Sequence, residues 1–167
     1  LGVTWKSGSD SDVHQVKKQL IGGYNFANAL AAVTIGHYLD IPATDINKAL
    51  SEYTPQNNRS QLKQTENKTL IIDAYNANPT SMMAALNNFS KMGLEHKALI
   101  LGDMRELGEN SLAEHQKIVD FIEEKKFDTV FLIGENFSNT KNNYNHFDNI
   151  SDFDDFLMKN PLRDYYI

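Results

Sequence analysis

The chain has 167 residues, 41% of them hydrophobic and 23% charged, with a formal net charge of −6 and no cysteine. That is the composition of an ordinary globular chain, long enough to bury a real core and sized for one domain or one domain plus a piece. The acidic balance argues against a nucleic-acid-binding surface. The cysteine count excludes disulfides, thiolate nucleophiles and Cys-ligated zinc, and no apolar run approaches the roughly 20 residues of a membrane span.

Residues 1–22 read as extended segments around a polar turn, Ser7 to Asp12. "GGYNFANALAAVTIGHYLDI" then reads as a helix, with Phe26, Leu30, Val33 and His37 at helical spacing behind Gly22 and Gly23. "PATDINKALSEY" reads as a second, shorter helix with Thr44 as its N-cap. "TPQNN", residues 54–58, is a cluster of breakers and the predicted domain boundary.

Past that boundary the pattern changes. "RSQLKQTEN" reads as an edge strand or hairpin arm, and "TLIID" (69–73) as a short apolar strand. Residues 79–92 read as a helix with Met82, Leu86 and Phe89 on one face. Asn78 is its expected N-cap, Pro79 its first residue, where a missing N–H costs nothing, and Gly93 its stop. A strand follows at 97–103. Ser111 and Glu114 have the spacing of a capping box, opening a helix that carries His115, Ile118, Val119 and Ile122 on one side. A third strand is expected at 128–136, and a short one in "KNNYNHF". "SDFDDFLMKN" reads as an amphipathic helix capped by Ser151 or Asp152, and "DYYI" as the start of another strand.

Short apolar strands alternating with helices imply βαβ units, hence an α/β fold on a mostly parallel sheet. Right-handed crossovers then put every strand's carboxyl end on one edge, where open sheets bind ligands. This edge would gather Asp73, Asp103, Arg105 and Glu135. Turn chemistry explains Glu135 better than function does, and leaves Asp103 evenly balanced. Asp73 stands apart. Tyr75, Asn76 and Asn78 follow it, and then a helix N-terminus, which favours polar or anionic ligands. One of the two asparagines is needed as a cap. The five histidines show no metal-ligand spacing, and His115, on an apolar helix face, reads as a satisfied core histidine. Asn25 and Asn28, three apart at a helix start, face the same way; as caps they account for one, and as a pair of amides they suit a purine edge.

Four segments, in order, resemble the Mur ligases. "GGYNFANALAA" is similar to the family's G-x-H-N-x-x-N-A-x-A-A helix start, and "NNRSQ" to the segment holding its linker arginine. "IIDAYNANPTSMMAAL" and "LGDMRELGENSLAEH" are similar to D-S-Y-N-A-N-P-x-S-M and L-G-D-M-x-E-L-G, longer motifs found in the members that join D-Ala-D-Ala to UDP-N-acetylmuramoyl-tripeptide. Tyr24 and Ala74 replace the commoner histidine and serine.

The resemblance implies two parts: residues 1–55 as the tail of a central ATP-binding domain, and residues 57–167 as most of a Rossmann-like C-terminal domain. It implies ATP-dependent amide formation through an acyl phosphate attacked by the amine of D-Ala-D-Ala, with positioning and charge neutralisation as the main catalytic work. Asn28 would contact adenine with Asn25 beside it, Arg59 would reach the nucleotide, and Asp73 would hold the ribose. Tyr75, Asn76 and Asn78 would meet D-Ala-D-Ala. ATP and Mg2+ are the expected cofactors, with the phosphate-binding GKT loop and magnesium ligands outside this chain, so the piece alone should not ligate. A cytoplasmic monomer is expected, with neither nucleic acid nor membrane as a partner. The alternatives are another Mur ligase, a folylpolyglutamate synthase relative, or a flavodoxin-like binding module with no chemistry of its own.

Overall fold

The computed structural model describes residues 2–6, 12–17, 23, 25–55 and 58–167. Ser7 to Ser11 of the predicted turn, Gly22, Tyr24, and Gln56 and Asn57 of the breaker cluster lie outside the described residues. The chain divides into two compact units, Leu1–Leu62 and Lys63–Ile167.

In the first unit β1 (Gly2–Trp5) pairs antiparallel with β2 (His14–Lys17), Trp5 opposite His14. Alternation buries Val3 and Trp5. The Trp5 ring stacks on His14 at 4.4 Å, and its indole N–H donates to Asn47 Oδ1 at 2.9 Å. Two helices complete the unit, α1 (Asn25–Tyr38) and α2 (Ala43–Glu52).

The buried face of α1 is Asn25, Ala29, Val33 and Gly36. Of the four residues whose spacing marked the helix only Val33 is buried; Phe26, Leu30 and His37 are exposed. The reason is close approach. A Cβ on Gly36 would lie 2.9 Å from Ile46 Cδ1 of α2, so only the smallest side chains fit that seam. Thr44 is not the cap of α2. Pro42, in an extended conformation (φ −54°, ψ 138°), precedes the helix, and its carbonyl accepts from the N–H groups of Asp45 and Ile46, so helix geometry is already set before Thr44.

The second unit is a sheet with helices on both faces. Its strands are β3 (Gln61–Gln64, which begins two residues before the unit boundary), β4 (Lys68–Ile72), β5 (Ala98–Gly102), β6 (Thr129–Ile133), β7 (Asn145–Phe147) and β8 (Tyr165–Tyr166). Three-stranded sets β3-β4-β8 and β5-β6-β7 are joined by a parallel bridge between Lys97 and Tyr166. The order is therefore β3-β4-β8-β5-β6-β7, and β4, β8, β5, β6 and β7 all run parallel. The chain's last strand inserts between β4 and β5: Tyr166 N donates to His96 O at 3.0 Å, and Ile167 N to Thr69 O at 2.9 Å.

The helices are α3 (Pro79–Ser90), α4 (Ser111–Lys125), α5 (Glu135–Ser138) and α6 (Ile150–Lys159). Strand residues alternate between the two faces. Leu99, Val130 and Leu132 pack with Leu86, Phe89, Ile118, Val119 and Ile122 of α3 and α4. Ala98 and Phe131 pack with Phe153 of α6 on the other side. The expected α/β architecture and the expected inward face of α4 both hold.

Three helix boundaries differ from expectation. Helix α3 ends at Ser90, with Lys91 as C-cap, and Gly93 does not take the left-handed conformation. Its terminal carbonyls are met instead by a distant side chain: Lys97 Nζ donates to Ser90 O at 3.0 Å and Met92 O at 3.2 Å. Ser111 and Glu114 form no capping box. A 3₁₀ turn (Gly108–Asn110) runs straight into α4, with Ser111 N donating to Gly108 O, so the turn already uses the donor a cap would meet. Asn149, not Ser151 or Asp152, caps α6, its Oδ1 accepting from Asp152 N at 3.1 Å.

Candidate functional site

The carboxyl ends of five parallel strands share one edge, and the candidate residues of the second unit cluster there. Strand β4 ends at Ile72, and Asp73, Ala74, Tyr75 and Asn76 follow in exposed, irregular chain. Ala77 turns back onto the core, and α3 begins. Asn78 is the cap: Oδ1 accepts from Ser81 N at 2.9 Å, while the Asn78 N–H donates to Ser81 Oγ at 3.4 Å. Pro79 follows at the first helical position. The two asparagines therefore part company. Asn78 is explained by helix initiation; Asn76 is exposed in the irregular chain between strand and helix.

At the end of β5 the chain builds something different. Asp103 Oδ1 accepts from Phe137 N at 3.0 Å, and Oδ2 accepts from both Asn136 N and Asn136 Nδ2 at 2.9 Å. This carboxylate thus ties the loop after β5 to the start of α5. Gly134 makes room for it with φ +119°, a conformation that L side chains rarely adopt. Beside it His115 is fully buried. Its Nε2 accepts from Met104 N at 3.0 Å, and its Nδ1 donates to Ser111 O at 2.7 Å, which is the hydrogen bonding of one neutral tautomer. Phe137 meets the imidazole edge-on at 4.6 Å. His115 is the satisfied core histidine that its helix face implied.

A cleft of about 540 Å³ opens above this network, walled by residues after β5 and β6 and by Asp148, Asn149 and Ile150. Asp103, Arg105 and Glu135 all line it, so the structure brings those three together at the sheet edge. Asn136 is the functional candidate that sequence reading missed. Its only signal was position, one residue beyond a Gly-Glu turn.

In the first unit, Asn25 is buried, Asn28 is exposed, and Asn28 Nδ2 donates to Asn25 Oδ1 at 3.1 Å. The shared face read from their spacing is real. Arg59 is exposed, and its neighbours Asn58 (φ 55°) and Ser60 (φ 50°) are both left-handed. Among the described residues no group of three or more His, Asp or Glu side chains could hold a metal ion, and no helix is long and apolar enough to cross a membrane.

The family model for the Mur ligase, glutamate ligase domain, matches residues 58–156. The chain belongs to the Mur ligase family. The chain is 39% identical over 118 residues to the UDP-N-acetylmuramoyl-tripeptide–D-alanyl-D-alanine ligase of Bacillus subtilis (strain 168), covering 70% of this chain and 26% of that protein. It is 37% identical over 141 residues to the ligase of that name from Buchnera aphidicola subsp. Acyrthosiphon pisum, covering 82% of this chain and 31% of the relative. The chain thus spans between a quarter and a third of the length of these curated relatives. A crystal structure of MurF from Acinetobacter baumannii superposes with a TM-score of 0.78 at 23% identity, over 99% of this chain and 38% of that one. The MurF ligase of Thermotoga maritima in complex with ADP gives 0.76 at 15% identity, over 98% of this chain and 40% of that one. These two likenesses establish the Mur ligase fold.

Proposed function

We propose that this chain is part of an ATP-dependent ligase that adds D-Ala-D-Ala to UDP-N-acetylmuramoyl-tripeptide in peptidoglycan precursor synthesis. The observation that carries the reading is the stretch from Ile71 to Met83. A half-buried strand end empties into an exposed acid, tyrosine and asparagine, then a capped helix. That order of residues is the run the resemblance rests on, and the names of the curated relatives support it.

In this reading residues 1–55 are the tail of the ATP-binding domain and residues 57–167 the C-terminal domain. The Asp73 carboxylate accepts from both ribose hydroxyls. Arg59 offers several donors to nucleotide oxygens at once. Asn28, oriented by its hydrogen bond to Asn25, presents an amide that both donates and accepts to the adenine edge. Bound ATP, with Mg2+ held elsewhere in the enzyme, supplies the phosphoryl group that activates the tripeptide carboxylate. Tyr75, Asn76 and Asn78 meet the dipeptide. The enzyme works as a cytoplasmic monomer, and this piece alone does not ligate.

The test is ATP kinetics in a full-length ligase carrying this chain. Asp73→Ala and Arg59→Ala should each raise the KM for ATP about tenfold or more, with melting temperatures near that of the parent. Parent-like ATP kinetics in both variants would remove them from the site.

A further inference from the structure

We propose that the outer face of α1 docks against an apolar face of the ATP-binding domain, in the part of the full-length ligase outside these 167 residues. The inference rests on the reading that residues 1–55 are the tail of that domain. None of the 14 residues of α1 is charged. Its inward face is made of small groups, Asn25, Ala29, Val33 and Gly36. The opposite arc is apolar as well. Phe26, Leu30, Ile35 and Tyr38 are all exposed there, Ile35 at 59% and Tyr38 at 83%, with Ala27 and Ala31 between them. The hydroxyl on this arc of the helix is already satisfied, because Thr34 Oγ donates to Leu30 O at 2.8 Å. The threonine can therefore leave water without stranding a donor.

The composition of the helix and the size of its unit choose the occupant. A helix that is apolar all round belongs inside a domain core or a membrane. Fourteen residues fall short of the roughly 20 that span a bilayer, and α1 has no Lys or Arg to sit among lipid headgroups. What fits is a core of which the first unit supplies one side. That unit is too small to finish it. Among the described residues its sheet has two strands, β1 and β2, and a lone two-stranded hairpin is marginally stable in water. The unit ends at Leu62, near the size at which folding buries too little surface for comfort. The other side has a source in the same polypeptide, because the chain covers only 26% and 31% of the two curated ligases described above.

The experiment is thermal unfolding of the full-length ligase with Leu30→Ala and Ile35→Ala, and with Met158→Ala, at an exposed position of α6, as the control. A packed face is left with a cavity by each truncation, so the melting temperature should fall by about 5 °C or more. The control should stay within about 2 °C of the parent. On a face in water, alanine is the better helix former, and the melting temperature would hold or rise; that result would overturn the proposal. Sedimentation of the same proteins tests a second copy as the occupant. A parent dimer that Leu30→Ala or Ile35→Ala converts to monomers assigns the face to self-association, and the proposal falls. None of these readouts involves a substrate. A parent that does not join D-Ala-D-Ala removes the functional reading, while the melts still decide what covers α1.

Discussion

Gly134 and Asp103 approach so closely that a Cβ on the glycine would lie 2.3 Å from the aspartate Cγ. The contact joins the ends of two neighbouring strands, and it is what lets Asp103 reach the backbone N–H groups of Asn136 and Phe137. Gly134→Ala therefore meets two costs, a positive φ and a displaced carboxylate. We expect a loss of about 3 kcal/mol or more in urea unfolding. Adding Asp103→Ala should give a double variant less destabilised than the sum of the singles. Simple additivity would show that the two residues do not clash.

Asn78 has a structural duty, and the question is whether it has a second. Asn78→Ala should cost about 1 kcal/mol through loss of the cap. Asn78→Asp keeps the accepting oxygen and removes the amide N–H groups, so it should retain most of that stability. If the dipeptide is read by those N–H groups, both variants raise the KM for D-Ala-D-Ala while only alanine lowers stability. A parent-like KM in Asn78→Asp assigns the residue to the helix alone.

Lys97 does the work that Gly93 was expected to do. Its ammonium donates to two carbonyls at the end of α3, and lies 6.0 Å from the Phe89 ring centroid and 5.8 Å from that of Phe127. Lys97→Met keeps the apolar stem and removes the charge. About 1–2 kcal/mol should be lost, from the charged hydrogen bonds and the ring contacts together. A chemical denaturation midpoint equal to the parent's would show that solvent caps this helix equally well.

Tyr144, half-buried against the core, has its hydroxyl pKa raised above the ordinary tyrosine value of about 10, first by burial and then by the charge of Glu123. The unfolded chain therefore ionises first. Below pH 10 this group leaves stability untouched; above it the unfolded state binds fewer protons, and stability falls as pH rises. Between pH 9 and pH 11 the parent should lose more stability than Tyr144→Phe. Equal losses would place the alkaline sensitivity in other groups.

Periodicity revealed α4 because four inward residues there are large or aromatic and lie at helical spacing. It marked α1 as a helix without revealing its buried face, for the opposite reason. That helix is apolar nearly all round, so spacing alone gave no preferred face, and the seam ran through Ala29 and Gly36. The cap at Asn78 was legible because all its partners lie within three residues. Lys97 and Asn136 were not, because the groups they serve are brought to them only by the fold. The same division holds for the candidate site. The exposed stretch from Asp73 to Asn76 is contiguous in sequence, whereas the hydrogen bonds around Asp103, Ser111, His115 and Asn136 draw on three separate segments.

The seam between α1 and α2 offers a test in which two effects of known sign compete. In an open helix Gly→Ala is stabilising by up to about 1 kcal/mol, because glycine loses the most backbone freedom on folding. At Gly36 the added methyl would sit 2.9 Å from both Cγ1 and Cδ1 of Ile46, and Ile46 is itself buried. Overpacking typically costs about 1–3 kcal/mol, so Gly36→Ala should be net destabilising by about 1 kcal/mol. In an Ile46→Ala background both clashing atoms are gone, and the propensity gain should emerge, making the same substitution stabilising. Thermal melts of the four proteins decide the matter. If Gly36→Ala stabilises the parent as well, Ile46 moves aside at little cost, and close approach is not what selects glycine at this position.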